Sequence, residues 1–413
     1  MRTVNKPASW SGYLLPVLVG LLALPAHPQQ RKLDVTNFVV MGEGLAAGMA
    51  DFSLKDVYQE KSFPAQMALQ MNTAFPQPLI QGSGIGNVPG FPAMPVRAPG
   101  PGQGAVRKDF PPALFVFNLS VPGFRVEDAI QRRPAAPLVQ QYDMLQTVTN
   151  LILGYPSLIL RNKPLWTQLE YARQMNPTFA LVELGYYDVL EAAATGDVRK
   201  LPDVAAFRTN YTTIVKALQD NGAEVLLTTI PDPMDTGYFT SVNSATRLVR
   251  APASVIASQF KLAAGDLLTV NGITAVANQL AASDVTGLEA GSVVSAAVAS
   301  QITQRVRALN QEITTIAQQQ GNAVVYDLNA LFSRVKTGGL FVGTNFLTAD
   351  YLGGFYSLDG YYPGRTGQAL IANEILTLIN RTYGQSFPLL NLIDVATDDP
   401  AVRFITKPGG TLQ

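Results

Sequence analysis

The chain has 413 residues, 47% hydrophobic and 15% charged, with 34 Gly, 28 Pro, no Cys and a single His. This is the balance of a folded globular protein, and the missing cysteines exclude disulfides, thiolate nucleophiles and Cys-ligated metals. Thirty basic side chains offset thirty acidic ones, so the electrostatic footprint of a nucleic-acid binder is absent.

The first 26 residues have the form of an export signal: Arg2 and Lys6, an apolar stretch from Tyr13 to Leu24, then Pro25 and Ala26 before a polar run. The stretch is short for a bilayer span, which takes about 20 apolar residues. The expectation is a cleaved signal peptide, a secreted or periplasmic product and no transmembrane segment in the mature chain. Cleavage near Ala26 would leave His27 at a frayed terminus, so the folded domain would hold no imidazole.

Beyond it a unit recurs: a short apolar run, a loop, an amphipathic stretch. The runs are Phe38 to Met41, Ala113 to Leu119, Thr178 to Leu184, Glu224 to Ile230 and Ala323 to Leu328. Runs without alternation suit strands buried on both faces of a parallel sheet, with helices as crossovers. The predicted architecture is a three-layer α/β/α sandwich with a parallel five-stranded, flavodoxin-like sheet. Helices are expected from Asp203 to Asn221-Gly222, from Arg305 to Gln320 and from Thr366 to Asn380.

Two insertions break the rhythm. The Gly- and Pro-dense stretch 76–112 should be an irregular excursion, and its GSGIG lacks the spacing of a phosphate loop. Residues 238–291 form an Ala-, Val- and Ser-rich insertion in which Asn271-Gly272 reads as a turn between LLTV and ITAV. It is either a lid over the sheet edge or a packing subdomain. The main domain should run over 31–388, with a C-terminal tail at 389–413 whose LLNLIDVA could dock on it.

Chemistry in such a sheet collects in the loops after the strands. Here these are Gly42-Glu43-Gly44-Leu45, Ser120-Val121-Pro122-Gly123, Gly185-Tyr186-Tyr187-Asp188, Pro231-Asp232-Pro233 and Ser357 to Pro363. In order, MGEGLAAG (41–48), FNLSVPG (117–123), ELGYYDVL (183–190) and SLDGYYPGRTGQALIAN (357–373) resemble the four motif blocks of the SGNH, or GDSL-type, esterases and lipases. The resemblance covers most of the mature chain and implies that family's fold. It places Gly44 at the position of the nucleophilic serine, Tyr187 at the oxyanion asparagine and Tyr362 at the histidine base. Gly123 and Asp359 match family catalytic positions, Asp188 keeps the acid of the third block, and Glu43 stands for the Asp of G-D-S-L.

The family mechanism needs a hydroxyl deprotonated by an imidazole that a carboxylate orients. Glycine has nothing to attack with, and a tyrosine, with a reference pKa near 10, is pushed further from neutrality by a neighbouring carboxylate. The expected remnant is a Tyr362 hydroxyl bonded to Asp359. Ser120 is a further hydroxyl, but no base lies in its motif. Glu43, Asp188 and Asp359 could instead form a carboxylate site. Tyr186, Tyr187, Tyr361 and Tyr362 are read two ways: as an aromatic platform for a ligand, with Glu43 and Asp188 beside it, or as rings filling an emptied pocket.

The leading expectation is an exported, catalytically degenerate protein that binds a small ligand (an acyl ester, lipid or sugar) or serves as a scaffold. It needs no cofactor and no metal. The alternatives are an active carboxylic-ester hydrolase using nonstandard residues, and an envelope protein presenting 76–112 to a partner.

Overall fold

The computed structural model describes Met1 and residues 32–82, 84–86, 105–108, 113, 115–160, 164–321 and 323–403. The export signal lies outside them, as do most of the 76–112 excursion and the last ten residues.

Four apolar runs form one parallel sheet: β1 (Phe38–Gly42), β2 (Phe179–Glu183), β3 (Glu224–Thr228) and β4 (Ala323–Tyr326), side by side in that order. Phe38 pairs with Phe179, and Val225 pairs with both Ala180 and Ala323. Every residue of β1 and β2 is buried, as the unbroken hydrophobic runs require. Phe38 stacks on Phe179 across the two strands, with ring centroids 5.1 Å apart.

The expected fifth strand is not one. The Ala113–Leu119 run lies parallel to β1 on its outer side, but among the described residues only Val40 and Asn118 form a bridge. Three hydrogen bonds hold it: Val40 N–H to the Phe117 carbonyl (2.9 Å), Leu119 N–H to that of Val40 (2.9 Å) and Val121 N–H to that of Gly42 (3.1 Å). On its C-terminal side Pro122 donates no N–H, and the Asn118 side chain takes the Ser120 N–H. Its position still matters. The chain leaves β1 toward this outer side and returns to β2 on the other, so the topological switch point lies between β1 and β2.

Helices flank the sheet. Those used below are α1 (Gly44–Ala47), α2 (Tyr186–Thr195), α3 (Val204–Asp220), α4 (Ala296–Gln320) and α5 (Arg365–Tyr383). The Asp203 carboxylate caps α3 by accepting the Ala206 N–H, and α3 ends at Asn221, with Gly222 at φ +90°. The α4 helix starts at Ala296, nine residues before the apolar period becomes visible, because Ser295 caps it. The described part of the tail docks: Ala396 and Val402 join the main core, and Asp399 caps α5 by accepting the Thr366 N–H (2.8 Å) and hydroxyl (2.7 Å).

The excursion is not irregular where it is described. Ile80–Gly82 pairs with Ala105–Arg107, and Ile85–Gly86 with Ser53–Leu54. The second insertion has a core of its own around Ile256, Phe260, Leu268 and Val276, under a three-stranded antiparallel sheet closed by Val293–Val294. Asn271-Gly272 is not a turn there. Both residues lie in the first turn of a helix (Val270–Ala282) whose N-cap, Thr269, accepts the Gly272 N–H. Glycine serves packing: a Cβ on it would sit 2.0 Å from the Ser292 carbonyl oxygen.

Candidate functional site

The C-terminal ends of β1 and β2 meet at the switch point, and a buried glutamate stands at each. Glu43 follows β1 and caps α1, its Oε1 accepting the Leu45 N–H at 2.8 Å. Glu183 ends β2, and its Oε2 accepts the N–H groups of Glu43 (3.3 Å) and Ala46 (3.2 Å). Burial pushes the Glu43 carboxyl up to about 7, against the pull of the Tyr362 hydroxyl and the Leu45 and Gly44 N–H groups. Burial also raises Glu183 well above the carboxylate range, and the charge of Glu43 adds to the effect.

Tyr362 completes the cluster. Its hydroxyl donates to Glu43 Oε2 at 2.7 Å and is wholly buried. A Cβ built on Gly44 would lie 2.3 Å from that oxygen, so the phenol fills the space into which any side chain at position 44 would project. Burial, followed by the charge of Glu43, holds the Tyr362 pKa well above 10, so the phenol is a donor and not a base.

The expected bond from Tyr362 to Asp359 is absent; the partner is Glu43. Asp359 is instead spent on its own loop, where Oδ1 accepts the Tyr361 (3.1 Å) and Tyr362 (2.9 Å) N–H groups. Its Oδ2 faces the Phe52 N–H at 3.5 Å. Burial pushes Asp359 up to about 7. Asp188, in the first turn of α2, accepts the Val126 N–H at 3.0 Å; burial lifts it to about 7 against that bond and the nearby Arg125 charge. Gly123, at φ +89°, sits in a tight turn closed by the Phe124 N–H on the Val121 carbonyl, with Pro122 before it.

An open aromatic platform is not what the tyrosines make. Tyr186, Tyr361 and Tyr362 are fully buried and pack edge to face, Tyr361 on Tyr362 at 4.8 Å and Tyr186 on Tyr362 at 6.0 Å. Tyr186 donates to the Tyr361 carbonyl at 3.0 Å, which fixes the 357–363 loop over the sheet. Tyr238, from the base of the second insertion, stacks edge-on against Tyr361, and its N–H bonds the Gly360 carbonyl. Tyr187 is buried as well, so the phenols fill volume between the loops.

In the structure Gly44, Glu43, Tyr362, Tyr186 and Tyr361 lie in one cluster. Asp188, at the start of α2, and Gly123 support neighbouring loops, and Ser120 is buried with no hydrogen-bond partner for its hydroxyl among the described residues. Glu183 was missed, although an acid closing an otherwise apolar buried strand was a visible signal. Asp51 was missed as well. Its carboxylate accepts the Leu358 N–H and the Tyr58 hydroxyl, both at 2.9 Å, and its N–H bonds the Ser357 hydroxyl. It thereby ties a tight turn, with Asp51 at φ +49° and Phe52 at φ +63°, to the 357–363 loop. Among the described residues no cluster of His, Cys, Asp or Glu is arranged to hold a metal, and no helix is long and apolar enough to cross a membrane.

No protein-family model matches the chain, and no curated protein does. Among solved structures it is similar to LAE5, an alpha/beta hydrolase enzyme from the metagenome of Lake Arreo, Spain, at 10% identity and a TM-score of 0.37, over 83% of this chain and 94% of that one. A likeness of that size carries no argument about activity; what the chain has of its own is a parallel α/β sheet flanked by helices, with a sealed polar cluster at its switch point.

Proposed function

We propose that this chain is an exported protein of SGNH-hydrolase-like architecture that no longer hydrolyses esters and acts as a ligand-binding or scaffold protein. One observation carries the reading: the Tyr362 hydroxyl occupies the space above Gly44 and is bonded to Glu43, with all three residues buried. The position that resembles the nucleophile therefore has no side chain, no solvent and no room for a substrate carbonyl. The phenol beside it cannot take up a proton near neutrality. The buried carboxyls of Glu43, Asp188 and Asp359 all accept backbone N–H groups, which is structural work.

The test is hydrolysis of short- and medium-chain nitrophenyl esters by the full chain beside Glu43→Gln. The expected result is buffer-level release from both. Turnover that disappears in Glu43→Gln would overturn the reading and make Glu43 a working acid or base.

A further inference from the structure

A second feature lies outside the sealed cluster. A cavity of about 430 Å³ is walled by residues from the 48–61 segment, from the two ends of the 357–368 segment and from the docked tail at 398–401. Neither Glu43, Asp188, Tyr361 nor Tyr362 lines it. Its volume falls in the range of small-molecule sites, roughly 300–1,000 Å³. Much of the wall is apolar, including Val57 and Leu358, which are exposed, and Pro363 and Pro400.

Its ionisable groups are unequally satisfied. Asp51 is bonded as described above. Asp399 takes the Thr366 N–H and hydroxyl and the Ala401 N–H, and Glu60 is paired with Lys108 at 3.0 Å. Asp398 is largely exposed and stands 3.9 Å from an Arg365 nitrogen. The two cations of the wall have capacity to spare. The Lys61 ammonium, half-buried, has no acceptor among the described residues. The Nε of Arg365 is buried without a partner among the described residues, while its Nη1 reaches the Asp398 carbonyl at 3.3 Å. Acids outnumber cations here, so a count of charges would favour a cationic guest. The hydrogen bonds point the other way, because three of the four acids already hold donors, the fourth, Asp398, is largely exposed to water, and the unmet buried group is a donor.

We propose that this cavity binds a small organic monoanion, a carboxylate on an apolar body, with Lys61 and Arg365 holding the carboxylate and Val57, Leu358 and Pro363 covering the body. The inference rests on the binding role proposed above but not on the Glu43–Tyr362 cluster.

The test is calorimetric titration of the full chain at pH 7 with octanoate, octan-1-ol and octylammonium, repeated with Lys61→Met and Arg365→Met. These keep the apolar stems and remove the charges. Octanoate should bind about tenfold or more tighter than octanol, as expected for at least one charge-assisted contact, and Lys61→Met and Arg365→Met should each shrink that difference while leaving octanol binding unchanged. The Lys61 side chain makes no hydrogen bond or ion pair among the described residues, and its backbone bonds to Tyr58 and Gln66 survive the substitution, so its variant keeps the test valid if Arg365→Met unfolds. Octylammonium binding as tightly as octanoate, octanoate affinity indifferent to Lys61→Met, or no octanoate binding would each overturn the proposal. The ester assay reports on the other cluster, so the two readings fail separately.

Discussion

The hydroxyl of Tyr362 reaches 319 positions back along the chain to donate to Glu43 at 2.7 Å, and in doing so closes the space above Gly44. The phenol and the carboxyl thus seal this corner of the switch point and leave position 44 no room for a side chain. The consequences can be measured on the fold before any ligand is known.

Gly44→Ser should not restore chemistry; it should strain the core. Its Cβ would meet the Tyr362 oxygen at 2.3 Å and the adjoining ring carbon at 2.5 Å, so removing the hydroxyl alone gives no relief. The expected cost is about 1–3 kcal/mol in urea unfolding. In Gly44→Ser/Tyr362→Ala the cost should fall short of the sum of the single costs by about 1 kcal/mol or more, because the clash is shared. Strict additivity would show that the ring does not occupy this space.

Stability should fall as pH rises from about 5 to 8. Glu43, Asp188 and Asp359 are each raised to about 7 by burial, above their ordinary 4.5 or 3.8. Between the unfolded and folded values the native state holds more protons than the unfolded chain, so deprotonation favours unfolding. One carboxyl held near 7 instead of 4.5 loses on the order of 3 kcal/mol by the time it is fully ionised. The carboxylates whose pKa values are lowered, such as Asp197 at about 2, act below this window. Thermal melts should place the maximum near pH 5, and Glu43→Gln should flatten the slope. A protein more stable at pH 8 than at pH 5 would contradict the buried-acid account.

Tyr362→Phe removes the hydroxyl that helps Glu43 carry its charge. The variant should lose about 1–3 kcal/mol at pH 8, where Glu43 is ionised, and less at pH 5, where it is protonated. An equal loss at both values would mean that the hydroxyl contributes packing alone.

The sequence conveyed the frame of this fold more completely than its site, for reasons visible at particular residues. FVVM, TFALVEL, EVLLTTI and AVVYDL are unbroken apolar runs, and buried parallel strands leave that trace. ALFVFNL carries the same trace, but among the described residues it makes only one bridge to β1. The motif order brought Glu43, Gly44 and the tyrosines into one place. The partner of Tyr362 was misjudged because Asp359, three residues away, was the nearer acid in sequence, and that carboxylate turned back onto its own loop. The structural role of Asp51 had no trace in sequence, since it depends on two successive non-glycine residues at positive φ.

That turn gives a prediction of its own. Asp51→Ala removes the acceptor of the Leu358 N–H and the Tyr58 hydroxyl and should cost about 1–3 kcal/mol. Asp51→Asn keeps one acceptor oxygen and tolerates the left-handed conformation, so it should lose less than half as much. Faster amide exchange at Leu358 in the alanine variant alone would locate the effect; equal losses in both variants would make it one of charge.

Gly272→Ala sets two physical effects against each other. Within a helix alanine is preferred to glycine by about 1 kcal/mol, so propensity alone predicts a more stable Val270–Ala282. Packing predicts the reverse, because the new methyl would stand 2.0 Å from the Ser292 carbonyl oxygen, which belongs to backbone that cannot swing aside. That carbonyl also accepts the Thr269 N–H at the helix start, so displacing it loosens the cap as well. The variant should therefore be destabilised by about 1–3 kcal/mol, with faster exchange of the amides in 270–282 while those of β1 and β2 keep their protection. A stabilised variant would mean that the helix and the 291–294 segment are not in contact, and the small core of the insertion would have to be redrawn.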